Sequence, residues 1–82
     1  VRGLKIEKGA KVNRHIRYEE EVIFVHQGEV NINVDGENIR LTKGDTFTTP
    51  IESTRSFENK GNSDCTLYIT RRNDQPQAPK FI

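Results

Sequence analysis

Short runs of alternating apolar and polar residues, separated by glycine, asparagine and aspartate, recur about every ten residues along this chain. No segment has the spacing of apolar residues that an amphipathic helix requires. This pattern is typical of an all-β sandwich or barrel, in which each strand buries one face and exposes the other. We therefore expect a single all-β domain.

The clearest strand pair surrounds Asp35-Gly36, a dipeptide favoured in two-residue hairpin turns because both central positions need a positive φ. Pairing outward from this turn places four apolar residues on one face: Val30, Ile32, Ile39 and Leu41. The opposite face carries only polar side chains: Asn31, Asn33, Asn38 and Arg40. This hairpin is predicted to pack one face on a core and to expose the other to water.

Further strands are predicted at Thr46–Thr49, Arg55–Glu58 and Thr66–Thr70, with a loop over Ile51–Thr54. The run Glu21–Val25 is apolar on both sides and is predicted to be a central strand. From Asn73 onwards two prolines indicate an extended arm. We therefore assign residues 1–72 to a barrel domain and residues 73–82 to an arm, with Phe81 and Ile82 docking on an apolar surface.

Length and composition restrict the classes of function. At 82 residues the chain is close to the lower limit for one unaided core, so a homodimer is expected. Its 13 basic and 12 acidic residues give no general electrostatic attraction to nucleic acid or to an anionic membrane. A single cysteine, with no signal-like or membrane-spanning apolar run, favours a cytoplasmic location. The absence of methionine suggests a domain of a larger protein.

Two groups of residues resemble the two motifs of the cupin superfamily. His15-Ile16-Arg17, then Glu21 and Gly28, is similar to the first motif, which has two histidines, a glutamate and a glycine. Gly44-Asp45, Pro50, Arg55, Phe57 and Asn59 is similar to the second motif, which leads through proline to a third histidine and an asparagine. The resemblance covers Gly9 to Thr70. It implies a double-stranded β-helix, or jelly-roll barrel, of two antiparallel sheets, and a homodimer.

The metal ligands implied by the resemblance are altered in this chain. The four ligand positions hold His15, Arg17, Glu21 and Arg55. Arginine stays protonated and offers no lone pair, so neither Arg17 nor Arg55 can be a ligand. His15 and Glu21 alone are fewer than the three protein donors that catalytic zinc and non-haem iron sites use. We expect no tightly bound metal and no other cofactor.

Strand parity nevertheless directs His15, Arg17 and Glu21 into the barrel, and the family pattern adds Arg55, Phe57 and Asn59. One interpretation is an anion site, in which Arg17 and Arg55 grip a carboxylate, phosphate or sugar phosphate and His15 supplies a hydrogen bond. The other interpretation is internal pairing, in which Glu21 neutralises an arginine in a structural salt-bridge network. The sequence leaves both interpretations open.

The first functional hypothesis is a metal-free binding module for a small anionic metabolite, acting as a sensory or regulatory domain. The alternative is a metal-independent sugar isomerase or epimerase with His15 and Glu21 as the acid/base pair. A degenerate metal-dependent enzyme and a purely structural or dimerisation domain are further alternatives. Neither nucleic acid nor a membrane is an expected partner.

Four other features of the sequence receive structural interpretations. His26 should face away from the pocket, and Cys65 should be a small buried hydrophobe because it shares the parity of Leu67 and Ile69. Glu19 and Glu20 are predicted to be solvated charges. Arg71 and Arg72 are predicted to form the solvated end of a strand.

Overall fold

The computed structural model describes residues 2–72 and 80–81, and within these residues it contains nine β-strands and no helix. The strands are β1 (Arg2–Ile6), β2 (Lys11–Arg17), β3 (Glu20–Gln27), β4 (Glu29–Val34), β5 (Glu37–Thr42), β6 (Thr46–Thr49), β7 (Ser53–Glu58), β8 (Cys65–Arg72) and β9 (Lys80–Phe81). The part of the chain that is described includes no helix able to cross a membrane.

The strands form two sheets, with the orders β1-β8-β3-β6 and β5-β4-β7-β2-β9. Every strand pair is antiparallel. Within these sheets β4 and β5 are the one pair of sheet neighbours that also follow each other in the chain. The other connections join non-neighbouring strands, which is the jelly-roll topology. The predicted fold class, an all-β barrel of two antiparallel sheets, is confirmed.

The predicted hairpin forms with the predicted register, because Ile32 pairs with Ile39 and Val34 with Glu37. Asp35 and Gly36 both have positive φ, at 49° and 90°, as a two-residue turn of this kind requires. Val30 and Ile32 are fully buried and Leu41 is nearly so, whereas Ile39 is half-buried at the edge of the sheet. The hairpin therefore supplies one wall of the core.

Two predicted strands are longer in the structure than in the sequence analysis. β7 begins at Ser53, inside the predicted loop, and β8 runs from Cys65 through Arg72. β3 is central, between β8 and β6, but only its inner face is buried. Phe24 on its outer face is 39% exposed, because no second layer covers that side within the described residues.

The apolar core lies between the sheets, and charged residues replace apolar ones on its inner faces towards one end of the barrel. Alternate residues of β8 point inwards, so Cys65, Leu67 and Ile69 are buried as predicted. The next inward residue is Arg71, which pairs in register with Glu21 on β3. This change from apolar to charged side chains positions the candidate site.

Part of the C-terminal segment joins the barrel. β9 pairs with β2, so that Phe81 lies opposite His15. Residues 73–79 of the predicted arm, together with Ile82, lie outside the described residues. Phe81 thus lies beside a candidate site residue, but its side chain is 62% exposed and is not buried against an apolar surface as predicted.

Candidate functional site

Glu21 is the centre of a buried ion-pair network at the end of the barrel. Its carboxylate is 2% exposed and accepts hydrogen bonds from two guanidinium groups. Oε1 accepts from Nη1 of Arg55 at 2.5 Å, and Oε2 accepts from Nε of Arg71 at 2.8 Å. Both oxygens are therefore engaged by arginines, which favours the internal-pairing interpretation for this residue.

The side chain of Arg55 is entirely buried. Its side chain has no exposed surface, and besides Glu21 it donates to Thr49 Oγ1 at 2.6 Å and Ser53 Oγ at 2.7 Å. It also donates to the carbonyl oxygen of Pro50 at 3.1 Å. These groups hold both terminal nitrogens, and although Nε of Arg55 has no hydrogen-bond partner among the described residues, the side chain has no exposed surface from which a ligand could reach it. The structure places this predicted half of the clamp behind the cavity and not on its wall.

Arg71 takes a position that the sequence analysis did not give it. It was predicted to be a solvated strand end, and this was wrong, because the side chain bonds Glu21 and is only 26% exposed. The alternation of β8 would have predicted this inward position, since Arg71 lies on the same face of the strand as the buried Leu67 and Ile69. Arg71 lines the cavity that Arg55 does not reach.

Arg17 is half-buried and lines the same cavity. Burial lowers the pKa of Arg17, repulsion from Arg71 lowers it further, and the charges of Glu21 and Glu19 oppose these effects. Its Nε is buried and has no hydrogen-bond partner among the residues that the structure describes. Arg17 is thus a partly desolvated cation with unused hydrogen-bonding capacity.

His15 is 5% exposed, and its Nδ1 lies 2.8 Å from the carbonyl oxygen of Asn13. Because a carbonyl oxygen can only accept, Nδ1 carries the proton, and in the neutral ring Nε2 keeps a lone pair. The ring also lies 5.2 Å from that of Phe81 and 6.4 Å from that of Phe57. His15 therefore joins the polar and the aromatic parts of the site.

These side chains surround a cavity of about 270 Å³. Its polar lining consists of Arg2, His15, Arg17, Glu21 and Arg71, and its apolar lining consists of Leu4, Val12, Phe57, Ile69 and Phe81. Among the predicted ligand-binding residues, His15, Arg17, Glu21 and Phe57 lie on this wall. Arg55 and Asn59 do not.

Asn59 instead secures the loop that follows β7. Its side chain is fully buried, and Nδ2 donates to the carbonyl oxygens of Ile6 at 2.9 Å and Ser63 at 2.8 Å. Its Oδ1 accepts from the backbone N–H of Gly61 at 2.9 Å. With every polar group of the amide engaged by backbone, the structure gives Asn59 a structural role.

Two further predictions concern glutamate and histidine side chains near the site. Glu19 was predicted to be solvated, which is wrong, because it is 1% exposed. It lies in the bend between β2 and β3, close enough for its charge to act on Arg17. His26 is exposed and packs against the ring of Tyr68 on the outer face, as predicted.

Comparison with protein families gives a match to the Cupin domain over residues 4–70. The chain belongs to the cupin family. The match covers β2 to β7 completely and includes both motifs identified above. Comparison with curated proteins gives no sequence match.

Solved cupin structures share the fold of this domain. The Schizosaccharomyces pombe Cnp3 cupin domain has 22% identity and a TM-score of 0.84, over 88% of this chain and 53% of that one. A predicted oxalate decarboxylase from Thermotoga maritima has 26% identity and a TM-score of 0.77, over 84% and 61%. A putative sugar phosphate isomerase from Acidithiobacillus ferrooxidans has 26% identity and a TM-score of 0.70, over 90% and 50%. This chain spans less than two-thirds of each, and their functions differ.

The cupin metal positions do not offer a suitable donor set here. His15 pairs with Arg55 in register, and Arg55 contacts Glu21, so these motif positions do come together. However, both oxygens of Glu21 already accept from guanidinium groups, and His15 retains only Nε2. Across residues 2–72 and 80–81, no group of three or more His, Cys, Asp or Glu side chains could hold a metal ion. The residues present therefore do not fit the family's metal.

Proposed function

We propose that this cupin domain binds a small anion in the cavity, without a metal, through Arg17 and Arg71. The observation that carries the proposal is the half-buried guanidinium of Arg17, whose Nε has no partner among the described residues. Arg71 lies close enough to lower the pKa of Arg17 by repulsion, after the larger effect of burial. An anion between them would satisfy both groups.

The balance of charge around the cavity supports an anionic ligand. Four guanidinium groups approach this end of the barrel, those of Arg2, Arg17, Arg55 and Arg71. Among the described residues, the carboxylates whose charges act on Arg17 are those of Glu19 and Glu21. Since Glu21 is shared by two arginines, it cannot also neutralise a third without loss of those hydrogen bonds. Among the described residues, the arginines that line the cavity thus outnumber the carboxylates that act on Arg17, which supports an anionic ligand.

Arg71 replaces Arg55 as the second arginine of the clamp. Strand parity allowed either arginine to point into the barrel. The terminal nitrogens of Arg55, however, already donate hydrogen bonds to Glu21, Thr49, Ser53 and Pro50. Arg71 uses Nε for Glu21, and its two terminal nitrogens make no hydrogen bond to another residue that the structure describes. The ion-pair network around Arg55 and the ligand site around Arg17 thus meet at Glu21 and Arg71, which belong to both.

The test is anion binding by the full chain and by charge-matched variants. Arg17→Gln and Arg71→Gln should each weaken binding of acetate or inorganic phosphate about tenfold or more, because each removes charge-assisted hydrogen bonds. The control is Arg14→Gln, which changes the net charge equally at an exposed position outside this cavity. Binding is measured by amide chemical shifts, with circular dichroism to verify folding. Equal affinities in Arg17→Gln and Arg14→Gln would contradict the proposal.

A second candidate function, metal-independent isomerase chemistry, depends on His15. The hydrogen bond to Asn13 leaves Nε2 of neutral His15 with a lone pair, as a general base needs. Glu21, the other predicted catalytic residue, is held by two guanidinium groups and is not free to exchange protons with a substrate. Turnover of a sugar phosphate that is lost in His15→Gln would support this function. Its absence in the native protein would exclude it.

A further inference from the structure

The cavity changes character along the strands that line it. Arg17 and Arg71 lie at the same end, since both adjoin Glu21. Farther along the strands the wall includes the apolar side chains of Leu4, Val12, Phe57 and Ile69, with Arg2 opposite Ile69 at the border between the two ends. Successive inward residues of a strand are about 6 to 7 Å apart. The cationic and apolar ends are therefore separated by about the length of one small ring with its substituent.

Aromatic side chains flank the apolar end. The ring of His15 lies between those of Phe57 and Phe81, with centroid distances of 6.4 and 5.2 Å and interplanar angles of 58° and 36°. Phe81 is 62% exposed although its backbone pairs with His15 in β9. A flat apolar group in the cavity would cover part of this exposed ring, and ring–ring contacts add to the gain from burial alone.

The size of the cavity restricts the ligand. A volume of about 270 Å³ corresponds to about nine water molecules in the liquid. It is slightly below the usual range for drug-sized ligands, about 300 to 1,000 Å³. A single ring with one acidic group fits within this volume. The planar guanidinium groups of Arg17 and Arg71 can each hold a carboxylate through two parallel hydrogen bonds.

We propose that the ligand is a small aromatic carboxylate, with its carboxylate between Arg17 and Arg71 and its ring against His15, Phe57 and Phe81. This inference rests on the proposed function and adds the chemical class of the ligand. It gives Phe81, from the C-terminal strand, the role of selecting a ring over an aliphatic chain.

The experiment compares four probes on the full chain by calorimetric or amide chemical-shift titration. Benzoate should bind at least tenfold more tightly than acetate, which has the same charge but no apolar body. It should bind several-fold more tightly than cyclohexanecarboxylate, which has a similar size but is not flat. Inorganic phosphate should bind more weakly than benzoate.

Variants of Phe81 separate the role of the ring from that of the charge. Phe81→Leu should weaken benzoate about fivefold and leave acetate unchanged, whereas Phe81→Tyr, which keeps the ring, should retain benzoate affinity. The control is Phe24→Leu, because Phe24 is also an exposed aromatic residue but lies on the outer face of β3. This variant should bind every probe as the native chain does.

The outcomes distinguish this inference from the function on which it rests. The proposed function itself is wrong if no anion binds. It is also wrong if the Arg17→Gln variant binds anions as tightly as the native chain does. If anions bind through Arg17 but benzoate is no tighter than cyclohexanecarboxylate or phosphate, only the aromatic class is overturned. Loss of benzoate and acetate together in Phe81→Leu would also overturn it, because Phe81 would then support the fold and not the selectivity.

Discussion

At the scale of single residues, Glu21 connects the two sheets. Arg71 reaches it from β8, in the same sheet as Glu21, whereas Arg55 reaches it from β7 in the other sheet. The pair with Arg55 is fully buried, so both groups have lost their hydration. Breaking such a pair is costly because it leaves one charge buried without compensation.

Replacing Glu21 with glutamine should lower the free energy of unfolding by about 3 to 5 kcal/mol, because Arg55 then keeps a buried, uncompensated charge. Equilibrium denaturation in urea measures this change. The control Glu29→Gln breaks the exposed pair with Arg40 and should have little effect. The double variant Glu21→Leu/Arg55→Met should recover most of the loss, since a buried ion pair can be replaced by packed apolar groups. If Glu21→Gln unfolds with the same free energy as the native protein, the ion pair between Glu21 and Arg55 contributes little to stability.

The residues of the site differ in how far sequence could predict them. His15, Arg17, Glu21 and Phe57 were predicted because strand parity and motif spacing are local properties. Arg71 was available from the parity of β8 but lies outside the motifs. Val12 and His15 are three residues apart, so regular alternation would place them on opposite faces of β2. Both line the cavity because the register of β2 shifts between them, and no feature of the sequence predicts this shift.

At the scale of the elements, tight turns set the register of the strands. The hairpin of β4 and β5 was predictable to the residue, because Asp35-Gly36 determines a turn whose partners are adjacent in the chain. The pairing of β9 with β2 was not predictable, since it joins distant segments through two residues. Gly28, between β3 and β4, was identified as the glycine of the first motif, but its close contact with the start of β8 is visible only in the structure.

Gly28→Ala should destabilise the domain more than Gly44→Ala does. Both glycines have positive φ, at 78° and 92°, so each substitution incurs a similar backbone cost of about 1 to 2 kcal/mol. Only at Gly28 would the new Cβ clash, at 2.6 Å from the carbonyl oxygen of Asp64. We expect an additional loss of about 1 to 3 kcal/mol from this overlap, measured by thermal and chemical denaturation. Equal losses in the two variants would mean that the loop before β8 moves aside freely.

At the scale of the whole molecule, the barrel combines a closed apolar core with a cavity at its charged end. Cys65 lies in the closed part and has no exposed surface. Burial, and to a smaller extent the charge of Glu29, raises the pKa of the Cys65 thiol. The predicted homodimer and cytoplasmic location stay predictions at this scale.

The reaction rate of the Cys65 thiol should measure global unfolding of the domain. In the native protein the thiol should react with a disulfide reagent about 100-fold or more slowly than in urea, because only the exposed thiolate is reactive. The raised folded pKa also makes stability depend on pH. Its contribution is complete below the unfolded pKa of about 8.5 and decreases as pH rises above it, when the unfolded thiol ionises. Cys65→Ala should lack this part of the alkaline decrease, and an identical pH profile in both proteins would contradict the assignment.

The arrangement of neighbours in the two sheets also determines how the domain folds. Apart from β4 and β5, each strand pairs with one that is distant in the chain, and β1 depends on β8 for its hydrogen bonds. The entropy of closing long loops must therefore be overcome before most contacts can form, which makes folding slow, on the order of milliseconds to seconds. During synthesis the four-stranded sheet cannot be completed until β8 has left the ribosome. Until then β1 has no partner and one edge of β3 is unpaired, which leaves both open to aggregation.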